Sequence, residues 1–392
     1  MRRPLRLGLA VLVTGLVLSP GVMAQEPADT ADRPFVTGGV YDRPYLGRLL
    51  GRTAIGGYAE AHARYARADG VREEAGFVAK RFNLFTATRV SDFVRIGAEL
   101  EIEEGGEELT LEFAAIDLII HPAFTLRGGV ILSPLGRFNL AHDSPLNPFT
   151  DRPLVSTELL GVALSEPGFG ALGTIGLRGQ ARVTYEIYAT NGFDDGLVFE
   201  SPEGTRLAAG RGNFEDQNSS PAVVGRLAWS PRAGHELGVS AHHGAWNVFA
   251  LDGEAVDERR DLTVAVADVE TEAAGFQITA EAALVRLDIP ASLESIAASR
   301  QAGGYVDIEY PFLRGVPATM PNSTISAKVR FDAVDFDQDR AGDGVARVSA
   351  GFNFRPTPDT VLKLEYTRGR ERDRFNSPAE TAALLFSIAT YF

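Results

Sequence analysis

Three places in the 392-residue chain bring chemically capable side chains together. His142, Asp143 and Ser144 are the residue types of a base, an orienting carboxylate and a nucleophile. Neighbouring side chains in a proline-rich stretch do not generally converge in those roles, and no Gly-x-Ser-x-Gly elbow accompanies them. The chain therefore reads as a non-enzyme. Asp335, Asp337, Asp339 and Asp343 alternate as in a calcium loop. An EF-hand needs Gly where Arg340 stands and Glu where Ala346 stands, so this run reads as a solvated acidic loop. His242 and His243 point to opposite faces if they lie in a strand, and so cannot share an ion. The chain has no cysteine, which removes thiol nucleophiles, disulfides and Cys-ligated metals. No metal and no cofactor is expected.

The more informative spacing is two. Between 93 and 103, Val94, Ile96, Ala98, Leu100 and Ile102 alternate with Arg95, Gly97, Glu99, Glu101 and Glu103. Tyr58, Glu60, His62 and Arg64 alternate with Gly57, Ala59, Ala61 and Ala63. The same rhythm sets Arg182 and Glu186 against Val183, Tyr185 and Ile187. It sets Lys328 and Arg330 against Ala327, Val329 and Phe331. Further on, Arg347, Asn353 and Arg355 alternate with Val348, Ala350, Phe352 and Phe354, and Lys363 and Glu365 with Leu362 and Leu364. Each stretch is a strand with one apolar wall and one charged wall. The candidate pore-lining residues are Arg64, Arg95, Glu99, Glu101, Arg182, Glu186, Arg330, Arg347 and Glu365. Opposed guanidinium and carboxylate groups there would set a transverse field across a water-filled passage.

These strands run to about ten residues or more, the length a tilted strand needs to cross a bilayer; soluble strands average about five or six. Short turns at 90–92, 178–180, 231–234 and 356–359 alternate with long polar stretches at 134–168, 191–218, 247–260, 289–301 and 371–380. Counting by alternation gives about sixteen strands over 53–392, an even number that returns both ends to one side. The expectation is all-β: a transmembrane antiparallel up-and-down β-barrel. Glu112 and Asp117 fall on opposite parity within one strand, which points to a bulge there or to a mid-wall acid facing a neighbour. Trp229, Trp246, Tyr391 and Phe392 fall near strand ends and suit interfacial aromatic girdles. Half of each strand facing lipid and half facing water leaves no central hydrophobic core.

The first 24 residues have the layout of a signal peptide: Arg2, Arg3 and Arg6, an apolar run over Leu7–Leu18, and small residues up to Ala24. Residues 25–52 are a periplasmic arm or an unassigned segment. The net charge of −14 argues against nucleic acid as a partner. Lysine occurs only at Lys80, Lys328 and Lys363, among 38 Lys and Arg residues, so cationic work falls to guanidinium groups.

The connection after the fifth strand differs from the rest. It carries Pro134, Pro145, Pro148 and Pro153 among apolar Phe138, Leu140, Leu146, Phe149 and Leu154. Proline stiffens it and apolar side chains pin it to a wall. By the strand count it is the third long extracellular loop, expected to fold into the lumen, with Arg137, His142, Asp143, Asp151 and Arg152 at the constriction.

The segments 56–60 (GGYAE), 97–103 (GAELEIE), 111–117 (LEFAAID), 126–136 (LRGGVILSPLG) and 185–192 (YEIYATNG) resemble porins related to the phosphate-selective O and P group. The Asn, His, Pro and Asp-Arg-Pro of 139–153 resemble the loop that follows in such proteins. The resemblance is strongest over about 55–195. It implies a passive, trimeric outer-membrane diffusion channel for small polar or ionic solutes, in contact with outer-membrane lipid and lipopolysaccharide. It does not extend to phosphate selectivity, which that group owes to clustered lysines; here three lie scattered along the sequence. The terminal aromatic Phe392 resembles the assembly signal of such barrels. A substrate-specific channel, or a barrel serving as an adhesin or binding protein, is the alternative reading.

Overall fold

The structure, a computed structural model, describes residues 52–392. The expectations for 1–24 and 25–52 lie, Arg52 aside, outside the described residues. Among those residues no helix is long and apolar enough to cross a membrane.

Eighteen strands form among the described residues: β1 (Thr53–Ala68), β2 (Val71–Arg89), β3 (Val94–Glu103), β4 (Glu108–His121), β5 (Phe124–Leu132), β6 (Ser165–Gly176), β7 (Arg182–Thr190), β8 (Ala222–Arg232), β9 (His235–Ala245), β10 (Ala250–Leu251), β11 (Glu254–Ala255), β12 (Asp261–Ala273), β13 (Phe276–Leu287), β14 (Arg300–Arg314), β15 (Thr324–Asp335), β16 (Gly344–Thr357), β17 (Thr360–Arg372) and β18 (Pro378–Tyr391). The two-residue strands β10 and β11 make a separate hairpin; the other sixteen close into one barrel. Each pairs antiparallel with its neighbours, and β1 closes on β18 in the register Tyr58↔Tyr391 to Ala68↔Thr381. Closure gives edge amides and carbonyls a partner, which in lipid are worth several kcal/mol each.

Alternation sets the two faces. On β16, Val348 and Phe352 are half-exposed on the outer surface, while Ser349 and Asn353 are buried. On β17, Leu364 and Tyr366 face out and Lys363 and Glu365 face in. The bulge in β4 falls at Glu112. Glu99 of β3 opposes Phe113 and Leu100 opposes Leu111, so Glu112 is the extra residue in the register. Glu112 and Phe113 are consecutive and both buried, which restores the inward direction for Asp117.

The connections alternate between two sides, but less simply than the spacing suggests. On the side of the long loops the first two connections are tight. Asp69 and Gly70, at φ 49° and 81°, make a two-residue turn, and Glu104–Gly106 is a single 3-10 turn. The segment 133–164 is third on that side, and the first of any length. On the other side, 315–323 is longer than a tight turn.

One expectation is overturned. A large apolar cluster occupies the interior on the β12–β15 side. Inward Leu262, Val264, Val266, Ala283, Val285, Leu287 and Val334 pack against Leu135, Phe138, Leu154, Val155, Leu159, Leu160 and Leu164 of segment 133–164. Phe193, Leu197 and Leu207 from the next long loop, Trp246, Ile289 and Phe336 complete it. Trp246 therefore lies inside the fold and not in an outer girdle; its indole N–H donates to the Asp288 carbonyl at 3.2 Å. Tyr391 is likewise buried, edge-on to Tyr58. Trp229 and Phe392 do face out, and Phe392 stacks on Phe82 with ring centroids 5.4 Å apart.

Candidate functional site in the barrel interior

The charged inner faces and segment 133–164 meet in one network. The neck of the segment is tied by Asn139, whose Nδ2 donates to the carbonyls of Ser133 (2.8 Å) and Leu164 (2.9 Å). Its Oδ1 accepts from the Leu164 amide at 2.8 Å. From this neck a short helix, α1 (Arg137–Leu140), reaches β9, β12 and β13. Gly136 donates from its amide to Ser240 Oγ (2.8 Å), and Phe138 from its amide to Glu281 Oε2 (3.1 Å). A side chain at Gly136 would collide with the Glu281 carboxylate at 2.5 Å, and φ there is +81°, so glycine permits the approach. Arg137 pairs with Glu270 and lies 3.8 Å from Glu236.

The middle of the segment spans to β1, β4 and β15–β18. The His142 ring sits between Glu112 of β4 and the Asn139 carbonyl. Asp143 accepts from Tyr391 Oη at 2.9 Å, and Ser144 Oγ donates to Glu60. The three residue types of a catalytic triad thus go to three different walls. Thr150 donates from its amide to Glu365 (2.9 Å) and shares a hydroxyl bond with Ser387 (3.0 Å). Asp151 pairs with Arg64 (3.0 Å) and Arg347 (3.2 Å), and Arg152 lies 3.7 Å from Glu101. The last part, including the π-helical turn Val155–Leu160, packs into the apolar cluster.

The candidate pore-lining residues all face inward. Arg330 is fully buried and holds Asp307 in a two-pronged pair at 2.6 Å, its guanidinium 4.4 Å from the Phe149 ring centroid. Arg347 pairs with Asp332 at 2.6 Å, and Glu365 pairs with Lys328. Glu99 accepts from Asn83 (3.1 Å) and Glu101 from Arg81 (2.9 Å). Arg95 reaches Asp117 at 3.3 Å, and Asp117 also takes both prongs of Arg127. Glu186 accepts from Tyr188 Oη at 2.6 Å. Arg182 stands part-exposed on the inner face of β7. These groups are tied to each other and to segment 133–164 far more closely than a freely solvated lining would be.

Two of the lysines, scattered in sequence, are not scattered in space. Lys328 and Lys363 are buried on β15 and β17 and converge on the same stretch of chain. Lys363 Nζ donates to the carbonyls of Ser144 (2.9 Å) and Phe149 (3.0 Å), and Lys328 Nζ to that of Pro148 (2.6 Å). Arg355, Arg330 and Arg347 take the carbonyls of Pro145 (2.9 Å), Asp151 (2.7 Å) and Arg152 (2.9 Å). Their targets are backbone atoms, which no pattern of residue types reveals. Of their carboxylate partners, Asp332 already falls on the charged face of the alternation over 324–332, and Asp307 could have been found by carrying that alternation into β14.

The other motifs resolve simply. His242 is buried inside, while His243 is exposed and bonds Thr263 at 2.9 Å. Among the described residues no group of three His, Asp or Glu is arranged to hold a metal ion. In the acidic loop, Asp343 pairs with Arg206 at 2.6 Å, and Asp337 lies 3.4 Å from Arg340. Hydrogen bonding to Arg300 lowers the Asp339 pKa, whereas burial raises that of Asp337.

A closed ring of sixteen antiparallel strands, apolar outside and charged over much of its inner face, is the barrel of the outer-membrane porin class. Among solved structures, the chain is similar to the outer membrane channel DcaP of Acinetobacter baumannii, with a TM-score of 0.56 and 13% identity over 87% of this chain and 97% of that one. It is similar to OmpF of Salmonella typhi, solved with daunomycin, with a TM-score of 0.54 and 12% identity over 87% and 98% of the two chains. For OprB of Pseudomonas putida the TM-score is 0.53, with 11% identity over 92% and 100%. In sequence, an uncharacterised protein of Aquifex aeolicus (strain VF5) is 25% identical over 356 residues, covering 84% of this chain and 79% of the relative. No protein-family model matches the chain.

Proposed function

We propose that the chain is an outer-membrane porin, a passive route for small polar or ionic solutes with no catalytic step. The observation that carries this reading is segment 133–164, bonded to inward side chains half-way round the ring from its own strands. As the constriction, it would narrow a passage otherwise wide enough for water. Basic groups on β15 and β16 (Lys328, Arg330, Arg347) pair with Glu365, Asp307 and Asp332 of the same wall, and acidic groups on β3 and β4 (Glu101, Glu103, Asp117) pair with Arg81, Arg95 and Arg127. A wall lined with such alternating charges favours small polar solutes over bulky apolar ones.

The resemblance over 55–195 supports kinship with porins of the phosphate-selective group, without their selectivity. The same resemblance supports a homotrimer, with export through the periplasm. Arg67, Arg368 and Arg370 project from the ends of β1 and β17 nearest the long loops, and suit lipopolysaccharide phosphates.

The test is conductance of the pure protein in planar bilayers. Stepwise ion-conducting openings are expected, and their absence would sink the channel reading. Arg137→Glu with Arg152→Glu should shift the reversal potential towards cations, because both places lose a cation beside existing carboxylates. An unchanged potential would remove these residues from the constriction.

A further inference from the structure

Segment 133–164 is held by two unlike kinds of contact. Its last part is buried in apolar packing, and its neck is tied by Asn139. The stretch 144–152 is held instead by cations from β15, β16 and β17, which take its backbone carbonyls. Proline at 145, 148 and 153 removes amide donors there, so the stretch presents acceptors to that wall. Of these cations the two lysines are the most completely enclosed, each with its side chain 0% exposed. A buried ammonium is costly unless paired and hydrogen-bonded, and here backbone carbonyls supply much of the pairing.

We propose that Lys363 and Lys328 are positioning residues that set the bore of the passage. They clamp residues 144–152 across the lumen and do not serve as binding cations for solutes. This deepens the channel reading and rests on it. The ammonium donors are directed at the carbonyls of Ser144, Phe149 and Pro148 and, for Lys328, also at the Glu365 carboxylate, so they are taken up by the loop and the wall. An anion-binding lysine would direct its donors into open water.

The cleanest perturbation is Lys363→Met, which keeps the stem and removes the donors. Glu60, 3.9 Å from Lys363, retains Arg81 at 3.0 Å and His62 at 2.8 Å, so no buried carboxylate is stranded. Lys328→Met is made together with Glu365→Gln for the same reason. A further variant uses the absence of native cysteine: Thr150→Cys with Ser387→Cys places two thiols where the hydroxyls now touch. Single-channel conductance is recorded for wild type, for each lysine variant, and for each combined with the cysteine pair, oxidised and reduced.

The expected result is a larger conductance with noisier openings when the lysines are neutralised. Oxidation of the cysteine pair should restore the wild-type level, and reduction should release it again. Wild-type conductance in correctly folded lysine variants would overturn the proposal. So would a loss of anion preference at unchanged conductance, which marks the lysines as solute-binding groups. If a lysine variant fails to fold, the cysteine pair in the wild-type background decides: the disulfide should form and leave the conductance at the wild-type level, as a loop already held there requires, and a conductance that shifts on oxidation, or thiols that do not join, would refute a clamped loop. Absence of conductance from the wild type itself would overturn the channel reading instead.

Discussion

Replacing Arg330 with methionine tests how the interior is held together. Both prongs of the Arg330 guanidinium lie 2.6 Å from the Asp307 carboxylate, and both side chains are almost wholly buried. Methionine keeps packing against Phe149 and Tyr305 but removes the cation and its bond to the Asp151 carbonyl. Asp307 is then a buried carboxylate without its partner. Removing one side of a buried pair costs about 3–5 kcal/mol. Asp307→Asn is milder, because the amide still accepts one bond while Arg330 keeps the Asp151 carbonyl; losing the charged bonds costs about 1.5–3 kcal/mol. With both charges gone, nothing is stranded, and the double variant should be less destabilised than the sum of the singles by about 0.5–3 kcal/mol. The assay is urea unfolding in lipid vesicles, followed by tryptophan fluorescence and by the gel-mobility change of the folded barrel. Trp246 reports from the interior and Trp229 from the outer surface. Additivity within about 0.5 kcal/mol would refute the pairing and the idea that interior charges act as an ordered network.

Three further outcomes follow from facing and burial. Ile96→Arg and Leu364→Arg each put a charge on the lipid face and should cost about 2–4 kcal/mol near the midplane; normal folding of both would mean that the faces are inverted. Trp246→Ala should cost about 3–5 kcal/mol by urea titration, as for a core residue, whereas a fraction of that would place it outside the interior cluster. Phe392→Ala removes the stack on Phe82 while leaving its amide bond to the Gly57 carbonyl, and should slow refolding into vesicles; an unchanged rate would end its role in assembly.

The barrel was legible because period two survives wherever one wall is apolar and the other charged, as on β3 and β16. Even the bulge at Glu112 showed as a parity conflict. The interior cluster was not legible for a physical reason. On β12 Asp268 and Glu270 mark the inward face, but its other half is Leu262, Val264 and Val266 opposite outward Thr263, Ala265 and Ala267, and nothing in that uncharged half says that it is covered by protein and not by water. Their partners, Leu197, Leu207 and Ile289, come from loops distant in sequence. In the candidate site, the loop and its residues at 137, 142, 143, 151 and 152 were legible from proline and apolar content. What each touches was not, because many of the bonds end on backbone carbonyls. Lys328 and Lys363, 35 positions apart in number, meet only because β15 and β17 flank β16 in the ring.

The apolar cluster also bears on how freely the outward loops can change. Surface loops ordinarily accept insertions and substitutions, since little rests on them. Here Phe193, Leu197 and Leu207 sit in the longest of those loops after 133–164, yet each is almost wholly buried. Shortening that loop to enlarge the mouth would remove core volume, with penalties of the cavity-forming kind. Substitution should therefore be tolerated best at tips such as Phe214 and Phe375, which are exposed, while the stems beneath them obey the packing rules of a globular interior.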